Sequence, residues 1–498
     1  PSMSSPTSAT RDHSPSSSVH LQYPPRPVLV DSRTSQTSRT GSSTPVASND
    51  LEITDPLYEL MNDNAIQQAF ELEPVDHGRG AWTFVACSFV MEVVAIGFPS
   101  SFGVFQDYYV KNPPFDHASE AAINSIGTIA LALQYTVIIW VISLYHKYPQ
   151  WSKTMTFLGL VTCALSLLLA SFANAVWELI LSQGVMFGIG ASFLYAPVLV
   201  YISEWFVERR AFAASIIFAG TALGGAVFPF VINSLIQHVG LRKSLIILAG
   251  AILSIGGLVV PGMKPRVPVA TATARSSRAR HAQGSYRNYD YRVLKRPIFY
   301  VLSLTVMSQS FGYYPVPFYL PTYATAAGLS TSTGTSALAV FNLSTVVGQV
   351  IAGYIYNKLG YGPLMVLSAT GSAAAAWLIW GFAHSAGVLF VFAAVFGSIS
   401  GAFNTTYVPA SSDLAEQSPE EVSFIMGALG IFKSIAIIGG PLVSSALHST
   451  SSLYVSAAGS VPRYGGYGFT SVIVFVGSVL TATCFGGLLT MFLRVKGH

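Results

Sequence analysis

The sequence contains few charged residues for its length. Aspartate, glutamate, lysine and arginine make up 10% of its 498 residues, whereas soluble proteins carry about a quarter. This deficit excludes an ordinary soluble multidomain protein. The 51% hydrophobic content instead indicates an all-α integral membrane protein, because a helix satisfies its own backbone hydrogen bonds in lipid. The 43 glycines and 27 prolines fit this class, since neighbouring helices can satisfy a broken backbone inside a bilayer.

The chain also lacks the patterns of an enzyme or a metalloprotein. Its three cysteines, Cys87, Cys163 and Cys484, are far apart and lie in apolar stretches, so we expect no disulfide framework and no metal site. No paired carboxylates accompany the histidines, and no glycine-rich stretch continues into a lysine, which excludes a phosphate-binding loop and ATP-driven transport. We therefore expect no enzyme activity, no cofactor and no nucleic-acid partner.

Long apolar stretches are what the sequence does contain. A helix needs ~20 apolar residues to cross a bilayer, and twelve stretches approach or exceed that length. The seventh stretch is interrupted by Pro315, Pro317 and Pro321. The twelve predicted spans are 82–105, 122–144, 154–174, 179–203, 211–237, 243–261, 298–325, 333–356, 363–383, 388–412, 424–448 and 467–493.

The longest loop between predicted spans is strongly basic. Residues 262–297 hold nine lysines and arginines against one acid, Asp290. Cytoplasmic loops carry such an excess, so this loop and, with an even number of spans, both termini are predicted to be cytoplasmic. Arg242 and Lys243, in a loop on the opposite side, are an exception to the rule.

Six spans, a basic linker and six further spans predict a chain with four parts. Residues 1–75, rich in serine, threonine and proline, predict a disordered cytoplasmic tail. A six-helix bundle over 76–261, the linker over 262–297 and a second six-helix bundle over 298–498 follow. Weak internal repeats, such as GGAVFP in the fifth span and GGP in the eleventh, favour two related bundles around a central path.

Two segments carry a resemblance to a known family. DHGRGAWTFVACSF at 76–89 includes Asp76 and Trp82, and EWFVERRAFAASIIFAGTALGG lies at 204–225. Both resemble the fungal branch of the monocarboxylate-porter family within the major facilitator superfamily. The resemblance implies two six-helix halves that expose a mid-membrane cavity to each side of the membrane in turn.

The resemblance also implies roles for residues at the cytoplasmic ends of the helices. Arg209 and Arg210 would hold the ends of segments four and five by pairing with Glu204 or Glu208, or would act only as topology signals. GYIYNKLG resembles the superfamily's loop motif between segments eight and nine, with Asn357 where an aspartate is common. These residues are expected to act in gating.

The sequence departs from this family at three positions. Animal members use a lysine in segment one, and an aspartate and an arginine in segment eight, to bind a carboxylate together with a proton. Ser100, Thr345 and Gln349 stand at those positions here. The family's proton-coupled uptake of a small monocarboxylate is therefore not expected.

Two ionisable residues lie deep in predicted spans. Glu92 is near the middle of the first span and Lys433 lies in LGIFKSIAII of the eleventh. Charges at this depth are costly and usually face a wet cavity. Our hypothesis is that Lys433 receives an anionic or carbonyl-bearing substrate while Glu92 binds a proton or balances Lys433. The alternatives are a mutual ion pair that only stabilises packing, or a Lys433 side chain that reaches towards the membrane interface.

Polar and aromatic residues in three other spans are further candidates for substrate binding. Gln309 and Tyr313 are four residues apart in SQSFGYYPVPFYLPTY and should share a helix face. Asn342 in the eighth span, with Asn404 and Tyr407 in the tenth, completes the set. Aromatic rings with polar tips suit a pocket for a partly apolar ligand.

These observations predict a secondary active or facilitative transporter of a small organic solute, carboxylate-bearing or amphipathic, with a coupled proton as an option. The alternatives are an efflux transporter for a fungal secondary metabolite and, less favoured, a nutrient receptor that keeps the fold without transport. The protein is expected to act as a monomer in the lipid bilayer, and the family resemblance places it in the plasma membrane of a fungal cell.

Overall fold

The computed structural model describes residues 73–267, 291–415, 419–448 and 464–496. Within these ranges all regular secondary structure is helical. Nearly all of the predicted tail over 1–75 and most of the predicted linker over 262–297 lie outside the described residues. The four-part division of the chain therefore stays a prediction.

Six long helices lie in the described range 73–267, before most of the predicted linker. Each is apolar and at least 22 residues long, and the segments that join them are at most eight residues long. They are α1 (Arg79–Lys111), α2 (Glu120–Lys147), α3 (Pro149–Ala170), α4 (Val176–Trp205), α5 (Arg210–Val239) and α6 (Leu241–Gly262).

Seven long helices lie among the described residues from 291 onward, after the predicted linker, and the first two replace a single predicted span. They are α7 (Pro297–Tyr313), α8 (Pro315–Ala326), α9 (Thr331–Leu359), α10 (Tyr361–Phe382), α11 (Ala386–Leu414), α12 (Pro419–Leu447) and α13 (Thr470–Lys496).

The division between α7 and α8 has a local cause. Proline has no N–H to donate and its ring crowds the preceding turn, and Pro315 and Pro317 both lie at the start of α8. Tyr314, between the two helices, keeps helical dihedral angles (φ −64°, ψ −33°). The hydrogen bonding is therefore interrupted without a reversal of the chain. The other eleven spans are present among the described residues as helices long and apolar enough to cross a membrane.

Short π-helical turns interrupt some of these helices. One of them, Glu92–Ile96, lies within α1 and begins at the predicted site residue Glu92. Such turns widen the backbone locally and are frequent at functional sites. The buried carboxyl group is thus carried on an irregular part of the helix.

Helices from before and after the linker pack against each other. The contacts are between α5 and α9 and between α2 and α12. A hydrogen bond joins the helices of each pair. Between α9 and α5, Asn342 Nδ2 donates to the Gly225 carbonyl at 3.0 Å. Between α2 and α12, Thr136 Oγ1 donates to Ser434 Oγ at 2.7 Å. These four helices enclose the region where the polar side chains meet.

Glycines let α1 and α5 approach closely. A Cβ atom on Gly224 would lie 2.6 Å from Gly97 Cα, and one on Gly220 would lie 2.9 Å from Glu92 Cβ. Both distances are too short for a side chain, so the two backbones are in direct contact, as small residues permit in membrane helices. This contact brings the next residue of α5, Thr221, to the carboxyl group of Glu92.

Candidate functional site

Two cavities share one wall near the middle of the helices. The larger has a volume of about 720 Å³ and the smaller about 370 Å³. The shared wall consists of Tyr313, Tyr314, Asn404, Tyr407 and Lys433. We refer to the two together as the joined cavity.

All seven residues predicted to bind substrate line the joined cavity. Glu92 and Asn342 line its larger part, Gln309 its smaller part, and the other four belong to the shared wall. Residues that are hundreds of positions apart in the sequence are thus brought together. A role in binding a solute stays a prediction for each of them.

Glu92 is almost completely shielded, with 2% of its surface exposed. Its Oε2 atom accepts a 2.6 Å hydrogen bond from Thr221 Oγ1 of α5. Its Oε1 atom is buried and has no hydrogen-bond partner among the described residues. One carboxyl oxygen is held by the protein and the other is left for a proton or a ligand.

Lys433 lies between tyrosine rings and not beside an acid. Its Nζ atom is 3.5 Å from the Tyr135 hydroxyl, 4.5 Å from the centre of the Tyr135 ring and 6.0 Å from that of Tyr407. No carboxylate oxygen lies within 4.0 Å of this atom in the part of the chain that the structure describes. The direct ion pair with Glu92 that the sequence left open is therefore not formed.

The three residues that replace charges of the resembled family also lie at the larger cavity. Ser100, Thr345 and Gln349 all line it. Thr345 Oγ1 lies 2.9 Å from the Phe341 carbonyl and 3.1 Å from that of Gly397, so its hydroxyl is bound to backbone. Gln349 Oε1 is buried without a partner in the described chain. The cavity thus has uncharged groups at all three positions.

The other predicted residues are held by specific contacts. Gln309 Nε2 donates to Ser400 Oγ at 3.0 Å, and the Tyr407 hydroxyl donates to the Met426 carbonyl. The Tyr313 ring centre lies 5.4 Å from that of Tyr314. These contacts fix the orientation of the groups that face the cavity.

Sequence reasoning missed several aromatic residues of the cavity. Tyr135 of α2, Tyr195 of α4 and Phe218 of α5 line the larger part, and Tyr314 belongs to the shared wall. Tyrosine in membrane proteins is enriched at the two interfaces. The mid-helix position of Tyr135 was therefore a signal that could have identified it.

Asp76 contacts the loop between α4 and α5. Its carboxylate accepts hydrogen bonds from the backbone N–H groups of Val207, Glu208 and Arg209 at 3.0, 3.1 and 2.9 Å. Its own N–H donates to the Trp205 carbonyl at 3.0 Å. Asp76 therefore holds the loop that leads into α5, up to Arg209, the residue that precedes the helix.

The remaining gating candidates lie at the same end of the helices. Arg210 is buried, and its guanidinium donates to the Phe206 carbonyl at 2.8 Å and to Ser412 Oγ of α11. Trp82 packs its ring 5.8 Å from that of Phe206. Arg210 thus joins a helix before the linker to one after it.

The other three gating candidates make different contacts. Glu204 Oε2 accepts a hydrogen bond from the backbone N–H of Arg266 at 3.1 Å. Arg209 and Asn357 are exposed. Pairing of Arg209 or Arg210 with Glu204 or Glu208 stays a prediction.

A polar cavity enclosed by membrane-length helices on both sides of a linker is the architecture of a secondary transporter. Residues 81–441 match the sequence profile of the Major Facilitator Superfamily, and the chain belongs to that superfamily. It is an integral membrane protein with the two-bundle helical fold of that superfamily, and it transports a small solute and is not an enzyme.

Known proteins agree with this assignment. The chain is 26% identical to "MFS transporter asaE" of Aspergillus flavus, over 82% of this chain and 86% of the relative. It is also 26% identical to the "Fujikurins efflux protein" of Gibberella fujikuroi, over 85% of this chain and 87% of the relative. Among solved structures, a human organic anion transporter (TETRAN) superposes with a TM-score of 0.57 at 14% identity, over 82% of this chain and 99% of that chain. The last similarity supports the fold alone.

Proposed function

We propose that the protein transports an organic anion with an apolar body. The observation that carries this proposal is the Lys433 ammonium group, which faces the joined cavity with no carboxylate within 4.0 Å among the described residues. A half-buried cation that makes no direct ion pair favours an anionic ligand, most of all when Glu92, the acid on the same cavity, is protonated. The tyrosine rings on both sides of Lys433 provide contact area for the rest of the solute.

Glu92 is proposed to carry a proton during the cycle. Glu92 and Lys433 line the same cavity from α1 and α12, and Glu92 has one carboxyl oxygen without a partner in the described residues. Protonation of this oxygen would remove a negative charge that repels an incoming anion. The two residues would thereby couple the binding of a proton to that of the solute.

Export of a secondary metabolite is the second candidate for the physiological direction. A relative over most of the chain is named as an efflux protein for fujikurins. The uncharged Ser100, Thr345 and Gln349 at the larger cavity disfavour the monocarboxylate uptake of the resembled animal proteins.

Several finer assignments belong to the same proposal. The chain is placed in the monocarboxylate-porter-like branch of the superfamily, with bundles over 76–261 and 298–498, a tail over 1–75 and a linker over 262–297. Both termini are on the cytoplasmic side of the plasma membrane, and the protein acts as a monomer. The basic composition of the linker supports this orientation.

A metabolite comparison tests the proposal while the solute is still unidentified. Cells that contain the native protein, no protein, or the variant Lys433→Gln are compared for small molecules inside and outside. We expect organic anions with apolar bodies to be redistributed by the native protein and not by Lys433→Gln. The exposed Lys243→Gln is the matched control and should behave as the native protein does. A redistribution restricted to cations or sugars, or one that Lys433→Gln leaves intact, would contradict the proposal.

A further inference from the structure

Three buried residues of the joined cavity carry an oxygen that lacks a hydrogen-bond donor. The atoms are Oε1 of Glu92, Gln309 and Gln349, and none of the described residues donates to them. The exposed fractions of the three residues are 2%, 4% and 3%. Buried acceptors are normally satisfied, and an unsatisfied one is an energetic cost until a donor reaches it.

The protein orients two of these groups through their other polar atom. Thr221 donates to Glu92 Oε2, and Gln309 Nε2 donates to Ser400 Oγ. The remaining oxygen of Glu92 is an acceptor when its carboxyl group is ionised. The remaining oxygen of Gln309 is an acceptor in the amide orientation that the structure shows. The terminal torsions of glutamate and glutamine are broad, so each group can turn towards a ligand at low cost.

The three acceptors lie in both parts of the joined cavity. Glu92 of α1 and Gln349 of α9 line the larger part, and Gln309 of α7 lines the smaller part. Lys433 belongs to the wall that the two parts share. A solute that fills the cavity therefore meets one cation and, once the two amides turn towards it, the acceptor oxygens of Gln309 and Gln349, which call for one anionic group and hydrogen-bond donors on the solute.

The rest of the lining is aromatic. Tyr135, Tyr195, Phe218, Tyr313 and Tyr314 line the larger part of the cavity. Rings of this kind make favourable stacked or edge-on contacts with a planar aromatic ligand. An aliphatic solute of the same size would gain apolar contact but not these ring contacts.

We propose that the substrate is a hydroxylated aromatic acid. Its carboxylate binds Lys433, its ring packs among the tyrosines, and its hydroxyl groups donate to Gln309 and Gln349, while Glu92 carries the coupled proton. This inference rests on the proposed transport of an organic anion. It adds that the cavity recognises the hydroxyl groups of the solute. The solute class is defined by donors that a methyl ether cannot provide.

A matched pair of ligands tests whether the cavity recognises hydroxyl groups. The full-length protein is reconstituted in nanodiscs, and binding of 3,4-dihydroxycinnamate is compared with that of 3,4-dimethoxycinnamate. The two share the carboxylate and the ring, and only the first can donate from the ring substituents. We expect the dihydroxy acid to bind about tenfold more tightly, the scale of one satisfied buried hydrogen bond.

Two substitutions locate the effect. Gln349→Leu and Gln309→Leu should each reduce the preference for the dihydroxy acid, because an acceptor is removed. Gln134→Leu is the matched control: Gln134 is fully buried, both its amide atoms lack partners in the described chain, and it lines neither cavity. The control should keep the native preference, and thermal unfolding of all three variants checks that they are folded.

The outcomes separate this inference from the anion proposal. If the two acids bind equally well and Lys433→Gln binds neither, the proposed recognition of hydroxyl groups is overturned and the anion site is supported. Binding of neither acid also overturns the inference, and the anion proposal then depends on the metabolite comparison. An equal loss of preference in Gln134→Leu and in the cavity variants would show that the glutamine positions are not specific, which contradicts the inference.

Discussion

Asp76 shows how a single side chain can organise the end of a helix. It accepts from three successive backbone N–H groups of the loop just before α5, and its backbone has a positive φ of 62°. Aspartate and asparagine tolerate this conformation better than most other residues. The motif residue is therefore explained by local geometry, and its carboxylate is fully occupied by the backbone.

We predict that Asp76→Ala destabilises the protein by about 1–3 kcal/mol, the cost of leaving part-buried loop N–H groups without an acceptor. Asp76→Asn should cost less, because asparagine keeps one acceptor oxygen and tolerates the positive φ. Thermal unfolding in detergent measures both effects. Asp107→Ala removes only an exposed contact with Lys111 and should change little. Equal unfolding temperatures for Asp76→Ala and Asp107→Ala would contradict the role of Asp76 in holding this loop.

At the residue scale, the sequence predicted the unusual side chains but not their partners. Glu92 and Lys433 were identifiable because each is an ionisable group in an apolar stretch. Their partners were not: Thr221 is an ordinary residue that becomes relevant only when α5 lies against α1, and the unusual mid-helix position of Tyr135 does not show that α2 lies against α12. Sequence spacing within one helix carries no information on which other helix will be opposite.

At the scale of helices, the sequence predicted where the membrane spans lie better than where their helices are interrupted. Long apolar stretches gave the spans because bilayer thickness sets their length. The prolines indicated an interruption near residues 315–321, and the structure has it at the junction of α7 and α8. The π-turn at Glu92–Ile96 had no clear local signal, since none of its residues is a proline or a glycine.

The contact between α1 and α5 provides a second prediction. A methyl group on Gly220 would collide with the α1 backbone near Phe89 and Glu92. Gly220→Ala should therefore cost about 1–3 kcal/mol of stability and reduce transport, because Thr221 moves away from Glu92. Thermal unfolding and solute flux are the measurements.

The matched control for this contact is Gly250→Ala. Gly250 lies in α6, and an added Cβ atom would meet nothing within 4 Å. This variant should be neutral or more stable by up to about 1 kcal/mol, since alanine favours helix more than glycine does. A Gly220→Ala variant as stable and active as Gly250→Ala would show that the close approach is not required.

At the scale of the whole molecule, contacts across the linker hold the described state together. Arg210 contacts Ser412, Ser423 Oγ lies 3.1 Å from the Leu199 carbonyl, and Thr136 contacts Ser434. Alternating access requires helices on the two sides of the cavity to separate at each membrane face in turn. Each hydrogen bond of this kind contributes only about 1 kcal/mol net, so such bonds can break and re-form during a cycle.

A reversible cross-link tests this motion. The Thr136 and Ser434 hydroxyl oxygens are 2.7 Å apart, so the pair Thr136→Cys and Ser434→Cys is positioned for a disulfide between α2 and α12. We expect oxidation to stop flux of the solute found by the metabolite comparison and reductant to restore it. Each single cysteine variant should transport under both conditions. Undiminished flux through the fully cross-linked protein would exclude a separation of α2 from α12 at this level.

The most direct measurement of the central claim is solute flux into proteoliposomes by the native protein, Lys433→Arg and Lys433→Gln. If Lys433 is the counter-charge of the transported anion, Lys433→Gln loses flux by about tenfold or more, the scale of a charged hydrogen bond. Lys433→Arg should retain part of it, and Lys243→Gln should match the native protein. Flux of the organic anion that is unchanged in Lys433→Gln would contradict the assignment of the joined cavity as an anion site.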